Sequence, residues 1–214
     1  GGYGNATWVG MNNAEGEHAE MVSNEWLAEN IQQGHGALGA VYPDVAYGME
    51  GDTPSFLSLI PNGLNSPDNP NWGGWGGRYE LYKPDVKKCD YDGFTGGVAI
   101  GEETRPIWTN ASDTYVPFVP SSHGRAIKKG DKTYSGNQAT IWRWREDVQN
   151  DFAARMDWCV KKVKEANHAP IVKLLTPEKM TVKSGEWFTL DANDSYDPDG
   201  DNISFLWFPY PEAT

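Results

Sequence analysis

The stretch ATIWRWREDVQNDFAARMDWCVKKVKEAN, residues 139 to 167, carries the strongest helical repeat in the chain. Ile141, Trp144, Val148, Phe152, Met156, Cys159, Val160 and Val163 recur every three or four positions, the spacing that collects apolar side chains on one face of an α-helix. A face of that kind must be covered, so the helix is expected to lie across a sheet or another helix. The charged residues on its other side, among them Arg145, Asp147, Asp151 and Lys162, read as solvated surface.

Upstream, EHAEMVSNEWLAENIQQGHG, residues 17 to 36, places Val22, Trp26, Leu27 and Ile31 on one helical face and Gly34 where such a helix would stop. The apolar run ALGAVYP, residues 37 to 43, fits a buried strand or loop. It is followed by MEGDTPSFLSLIPNGL, residues 49 to 64, an acidic elbow of Glu50 and Asp52 around Gly51 leading into a second helical stretch. Helix, short apolar run, elbow, helix is the rhythm of an α/β domain. Residues 61 to 80 are too rich in Gly, Pro and Asn for regular structure and are expected to form a long loop. Residues 83 to 138 read as a second irregular region, with one strand-like run at residues 115 to 119.

Downstream, the helical pattern ends at Asn167, and Pro170 forbids helix while opening an extended run. The expected division is therefore an α/β domain over residues 1 to 167 and a β-rich module over residues 168 to 214. The second piece is the more acidic, with net charge −5 in 47 residues against −7 in the preceding 167. Its runs PIVKLL, EWFTLDA and NISFLWF are separated by turn signals, as at the start of an immunoglobulin-like sandwich. Such a sandwich needs about seven strands in about 100 residues. The module is therefore expected to be incomplete, with exposed edges.

The whole chain has 214 residues and a net charge of −12, with ten Trp, ten Tyr and seven Phe to build a core. An acidic balance without a basic stripe repels a phosphate backbone, so nucleic acid is not an expected partner. No run of eighteen apolar residues occurs, so no membrane-spanning helix is expected. Both ends look cut from a longer chain. Cys89 and Cys159 show no zinc or redox spacing, and buried or free thiols are expected rather than a disulfide.

The sequence has no G-x-S-x-G elbow, no phosphate-loop motif and no H-E-x-x-H helix, which removes common serine-hydrolase, nucleotide and zincin chemistry. His18, His35, His123 and His168 are scattered singly and read as turn or packing residues. At the elbow two readings stand together. Asp52 beside Thr53 and Pro54 is suited to the start of a helix, and a carboxylate at a strand end is also where α/β ligands bind. In WGGWGGRYELY, Trp72, Trp75 and Tyr79 among glycines serve either as sugar platforms or as pins for the loop, and Arg78 is suited to a buried carboxylate. The aspartates Asp191, Asp194, Asp197, Asp199 and Asp201 invite a calcium reading, yet aligning Gly200 with the EF-hand glycine puts Ser195 first and Leu206 last. A polar turn is the simpler reading.

At EGDTPSFLSLIPNGL, WGGWGGRYELY and WRWREDVQNDFAARMDWCV the chain resembles a family of secreted bacterial proteins described as cellulose-binding. In that family a nucleoside-hydrolase-like domain precedes an immunoglobulin-like C-terminal domain, whose start NHAPIVKL and DANDSYDPDGDNISFLWFPYPEA resemble. The resemblance implies an α/β fold: the C-terminal part of a nucleoside-hydrolase-like (Rossmann-like) domain, its N-terminal half missing, followed by an incomplete immunoglobulin-like β-sandwich.

By the same resemblance Asp52 looks like the later calcium ligand of nucleoside hydrolases; Glu50, from the reading of the elbow itself, is the second candidate catalytic carboxylate. The aspartate cluster that completes such a site would precede residue 1. Gly51 stands where several of those enzymes have a leaving-group His. Asn12, Asn13 and Glu15 are carried over as substrate contacts, joined by Trp72, Trp75, Arg78 and Tyr79. The implied function is calcium-dependent hydrolysis of N-glycosyl or related glycosyl compounds by a secreted or periplasmic protein, with the isolated chain inactive because one carboxylate cannot fill the six to eight oxygen positions of Ca2+. The rival function is non-catalytic binding of a polysaccharide on a hydrolase scaffold.

Overall fold

The computed structural model describes residues 7–11, 15–45, 54–82, 106–121 and 126–213. Asn12, Asn13, Glu50, Asp52, Cys89 and His123 lie outside the described residues.

The first helical expectation is met. A 3-10 turn, Ala19–Val22, leads into helix α1, Asn24–Leu27, which continues as a π-helical turn, Ala28–Gln32. The Ser23 hydroxyl caps α1 by accepting from the Trp26 N–H at 3.1 Å. Gly34, in the left-handed region at φ 81, lets the chain leave the helix. Val22, Leu27 and Ile31 are buried as the spacing requires.

ALGAVYP is a correction. Most of it forms helix α2, Gly36–Ala40, with Leu38 and Val41 exposed, so it is neither strand nor buried loop. With the preceding glycines it carries the spacing G-x-G-x-x-G over residues 34 to 39, but it joins two helical segments rather than a strand to a helix. Gly39 serves packing instead: a Cβ there would lie 2.6 Å from the Ile31 carbonyl oxygen. After the elbow, the expected helix is a 3-10 segment, Pro54–Leu59, with Pro at its first position.

Residues 61 to 78 form the long loop without regular structure. The second irregular region is more ordered than its sequence implies. Strand β1, Tyr79–Tyr82, pairs antiparallel with β2, Ile107–Asn110. Strand β3, Asp113–Tyr115, pairs with β6, Tyr134–Gly136, and β4, Phe118–Pro120, pairs with β5, Ala126–Lys128. The expected single run at 115 to 119 is thus split between two ribbons at Val116 and Pro117.

The long helical stretch is also divided. Helix α3, Ala139–Trp142, and helix α4, Arg145–Trp158, meet at a turn over Arg143 and Trp144. The Trp144 N–H bonds the Ile141 carbonyl at 2.9 Å, a three-residue closure, while the Trp144 carbonyl already accepts from Val148. Helix α4 then spans two apolar clusters. Val148 joins Met11, Trp75, Ile141 and Trp144, and one and two turns later Phe152 and Met156 meet Val22, Leu27 and Ile31. Beyond Trp158 the helical stripe is not used, and Cys159, Val160 and Val163 are exposed.

Residues 168 to 213 contain no named strand among the described residues. One antiparallel bridge, Ile171 to Tyr196, is followed by a bond from the Leu175 N–H to the Asp191 carbonyl at 2.8 Å, so the first two β-rich runs lie alongside each other. Trp187 is 99% exposed. The end of the third run turns back, and Phe208 and Tyr210 pack on the first apolar cluster. No helix of the described residues is long and apolar enough to cross a membrane.

Arg145 is the main correction to the charged face. Its side chain is fully buried, 0% exposed, and donates to the carbonyls of Gly10 at 2.6 Å and of Glu15 and Glu17 at 2.9 Å each. Burial lowers its pKa to about 10, which still leaves it cationic at neutral pH. Replacing it by Ala removes this donor from the Glu15 and Glu17 carbonyls and leaves Gly10 with the Trp142 indole N–H, at about 1–3 kcal/mol for each carbonyl that stays buried and unsatisfied. Arg145→Ala is expected to lose about 3 kcal/mol or more in denaturant unfolding, and Arg145→Lys to recover only part, because one ammonium cannot reproduce the fork of a guanidinium.

Candidate functional site

The tract WGGWGGRYELY is held from beneath by asparagines. The Asn65 amide donates to the carbonyls of Leu57 at 2.7 Å and Ile60 at 2.8 Å, and its oxygen accepts from the Trp75 N–H at 2.9 Å. Gly74, at φ 144, leaves room for that oxygen, which a Cβ would strike. Trp75 is only 9% exposed and belongs to the core cluster, so it pins the loop rather than offering a sugar platform. Trp72 and Tyr79 are half-buried. The Trp72 carbonyl accepts from the Tyr210 hydroxyl at 2.6 Å, and burial pushes that hydroxyl up to about 12.

Arg78 meets the buried carboxylate that the sequence suggested. Its Nε donates to Asp113 Oδ1 at 2.6 Å, and the other oxygen of Asp113 accepts from Arg143 at 2.9 Å. The Asp113 side chain is 1% exposed, so one carboxylate answers two guanidiniums inside the fold. Arg143 also lies over the rings of Tyr115, Trp144 and Tyr210 at 4.6 to 5.2 Å and pairs with Glu212 at 3.3 Å.

Beside this hub is a cleft of about 170 Å3, walled by Tyr115, Phe118 and Phe208 and lined by Glu17, His18 and Glu146. Arg145, by holding the Glu15 and Glu17 carbonyls, fixes its floor. Burial is the main cause that raises the Glu17 carboxyl above its ordinary value, with His18 and Lys129 opposing. The Tyr115 hydroxyl donates to Glu17 at 3.4 Å, and burial raises its pKa in turn. His18 has φ 53, a left-handed backbone that costs a non-glycine residue roughly 1–3 kcal/mol. Its ring lies 3.3 to 3.5 Å from carboxylate oxygens of Glu17, Glu20 and Glu146. These are hydrogen-bonding groups of both signs against aromatic walls, a lining suited to sugar hydroxyls and ring faces.

Sequence reasoning missed this cleft because Glu17 and Glu146 are 129 positions apart and no motif joins them. Of the residues it named, Glu15 is exposed and lends its carbonyl to Arg145, while Glu50, Asp52, Asn12 and Asn13 lie outside the described residues. His35 is a packing residue, buried and 3.2 Å from Asp157. The C-terminal aspartates form a polar turn, with Asp197 accepting from the Asp199 N–H at 2.8 Å. Asp199 in turn accepts from the His168 N–H at 2.6 Å and faces its ring, contacts that hold its carboxyl below the usual value. Among the described residues no group of three or more His, Cys, Asp or Glu converges as a metal site.

The fold is similar to a solved nucleoside-hydrolase-related protein. That structure, a hypothetical protein of Saccharophagus degradans associated with carbohydrate metabolism, is 29% identical, with a TM-score of 0.55 over 90% of this chain. The chain spans 40% of its length. Residues 1–79 match the family described as cellulose-binding Sde182, nucleoside hydrolase-like domain, and residues 187–214 match the C-terminal domain of cellulose-binding protein Sde0182. These matches bear out the family resemblance read from the sequence. No curated protein matches the chain.

Asp113 gives a direct test of the arginine hub. Removing one partner of a buried ion pair typically costs about 3–5 kcal/mol. Asp113→Ala leaves Arg78 without its carboxylate and Arg143 with Glu212 as its remaining one, and is expected to fall within that range in chemical denaturation, whereas a half-buried control in an i,i+4 pair, Asp151→Ala, is expected to change stability by about 1 kcal/mol or less.

Proposed function

We propose that this chain is part of a secreted, carbohydrate-directed protein on a nucleoside-hydrolase-like scaffold, and that the cleft at Glu17, His18 and Glu146 holds one glycosyl unit. The observation that carries the reading is the cleft lining, aromatic side chains beside carboxylates and an imidazole, in a chain that matches a family described as cellulose-binding. A cleft of about 170 Å3 lies below the roughly 300–1,000 Å3 of drug-sized sites, which favours a single small unit. The division at residue 167 and the immunoglobulin-like character of the C-terminal module belong to the same proposal.

The second reading is calcium-dependent hydrolysis of N-glycosyl compounds, favoured by the match of residues 1–79, which include Asp52, to a nucleoside-hydrolase-like domain. The described residues do not themselves fit a calcium centre, so its ligands would come from Asp52 and from carboxylates outside them.

Calorimetric titration with cellobiose tests the first reading. Glu146→Ala is expected to weaken binding about tenfold, the loss of roughly one charge-assisted hydrogen bond. Because the Glu17 carboxyl is raised, hydrogen bonds accepted by its ionised form are expected to be lost as pH falls through a value above the ordinary glutamate range, and Glu17→Gln to remove that pH dependence. Ribonucleosides with added calcium test the second reading: the isolated chain is expected to release no base, and turnover would overturn its assignment as an inactive piece.

A further inference from the structure

Asn62 and Gly63 form the one Asn-Gly pair in the 214-residue sequence, in the turn that opens the long loop. In such a pair the glycine backbone nitrogen can attack the side-chain amide carbon, and no Cβ stands in its way. Each of the atoms that would react is placed for this. Asn62 Oδ1 accepts from the Leu64 N–H at 3.0 Å and the Asn65 N–H at 2.8 Å, which folds the side chain forward over Gly63. Two fixed donors polarise that carbonyl and already face the negative charge its oxygen takes up during attack. Gly63 is exposed at φ 81, and a Cβ built on it would find nothing within 4 Å, so the approach of water and base is open. Its N–H makes no hydrogen bond among the described residues and is free to give up its proton. The departing nitrogen, Asn62 Nδ2, is buried without a partner, an unfavourable state that ends when the nitrogen leaves.

The Asp199-Gly200 pair is the contrasting case. Gly200 is equally open at φ 83, but its N–H donates to the Asp197 carbonyl at 3.2 Å. The Asp199 carboxyl accepts from the His168 N–H at 2.6 Å, and the His168 contacts hold it ionised, a poor target for a nucleophile. Asp92-Gly93 lies outside the described residues.

We propose that the Asn62-Gly63 turn is a self-modification site, at which the chain converts its own asparagine through a cyclic imide into isoaspartate and aspartate. The Gly63 nitrogen gives its proton to solvent base and bonds to Asn62 Cγ, the Cγ–Nδ2 bond breaks, and Nδ2 takes a proton and leaves as ammonia. Water then opens the ring at either carbonyl. Breaking the new N–Cγ bond gives aspartate, and breaking the bond from that nitrogen to the main-chain carbonyl carbon of residue 62 gives isoaspartate. Aspartate keeps an oxygen for the Leu64 and Asn65 N–H groups, whereas isoaspartate lengthens the backbone by one carbon and draws that oxygen into the main chain. Asn65 is then no longer fixed where it holds the Leu57 and Ile60 carbonyls and the Trp75 N–H, so this product loosens the loop that Trp75 pins.

The test holds the 214-residue chain in mildly alkaline buffer, folded and in guanidinium chloride, and follows Asn62 by mass spectrometry of digests, with isoaspartate recognised by enzymatic methylation. Conversion in the folded chain is expected to match or exceed that in denaturant, with isoaspartate among the products. Gly63→Ala is expected to slow it about tenfold in both states, so the comparison does not depend on how that variant folds. A folded-chain rate within about tenfold of the denatured rate, or above it, supports the site. A folded chain that converts more slowly than that, a product that is aspartate alone, or no conversion in either state overturns it. An isoaspartate fraction whose unfolding midpoint equals that of Asn62→Asp overturns the loosening of the loop.

Discussion

A guanidinium placed inside a protein has to be met by acceptors around its rim, and Arg145 draws them from the backbone of Gly10, Glu15 and Glu17. This one demand organises the N-terminal part of the described chain. It holds the backbone at Gly10, Glu15 and Glu17 against the first turn of α4. It also brings Glu17 and His18 to Glu146, the residue after Arg145, so the cleft forms where the polar anchor is. Gln149, one turn further along α4, repeats the device by donating to the Met21 carbonyl at 2.6 Å.

The neighbouring Arg143 serves a different set of partners. Through Asp113 it is tied to Arg78 at the end of the long loop, and through Tyr210 and Glu212 to the C-terminal tail. The alternation Trp142, Arg143, Trp144, Arg145 thus sends four large side chains in different directions from one short turn. Trp142 bonds the Gly10 carbonyl, and Trp144 fills the first apolar cluster. A continuous helix would have set these four at fixed 100° intervals. The turn between α3 and α4 releases them from that spacing.

What was legible in the sequence follows from which forces leave a periodic trace. Val22, Leu27 and Ile31, and then Val148 and Met156, are buried for their apolar surface, and their spacing names the helices. Gly34 and the Gly-rich loop declare themselves by backbone freedom. Arg145 leaves the trace of a surface charge, because its burial depends on carbonyls well over a hundred positions away that carry no side-chain signal. Strands of three or four residues are too short to show alternation, which is why the ribbons from Tyr79 to Gly136 read as irregular. The cleft shares that difficulty, since it is assembled by tertiary contacts alone. The elbow carboxylates, Glu50 and Asp52, stood out through spacing and family resemblance, and they lie outside the residues whose geometry is described.

The return of the tail bears on how the chain behaves as a unit. Tyr210 reaches back 138 positions to the Trp72 carbonyl, and Phe208 stacks on Phe118 and tilts against Trp144. The composition break near residue 167 is therefore a seam in sequence that the packing crosses. Residues between the seam and Phe208 are largely exposed, while those at its far end are locked to the first body. Loosening the tail would take Phe208 out of the cleft wall and uncover Trp144 in one step, which couples the order of the acidic C-terminal segment to the shape of a cleft assembled mostly from the residues before it.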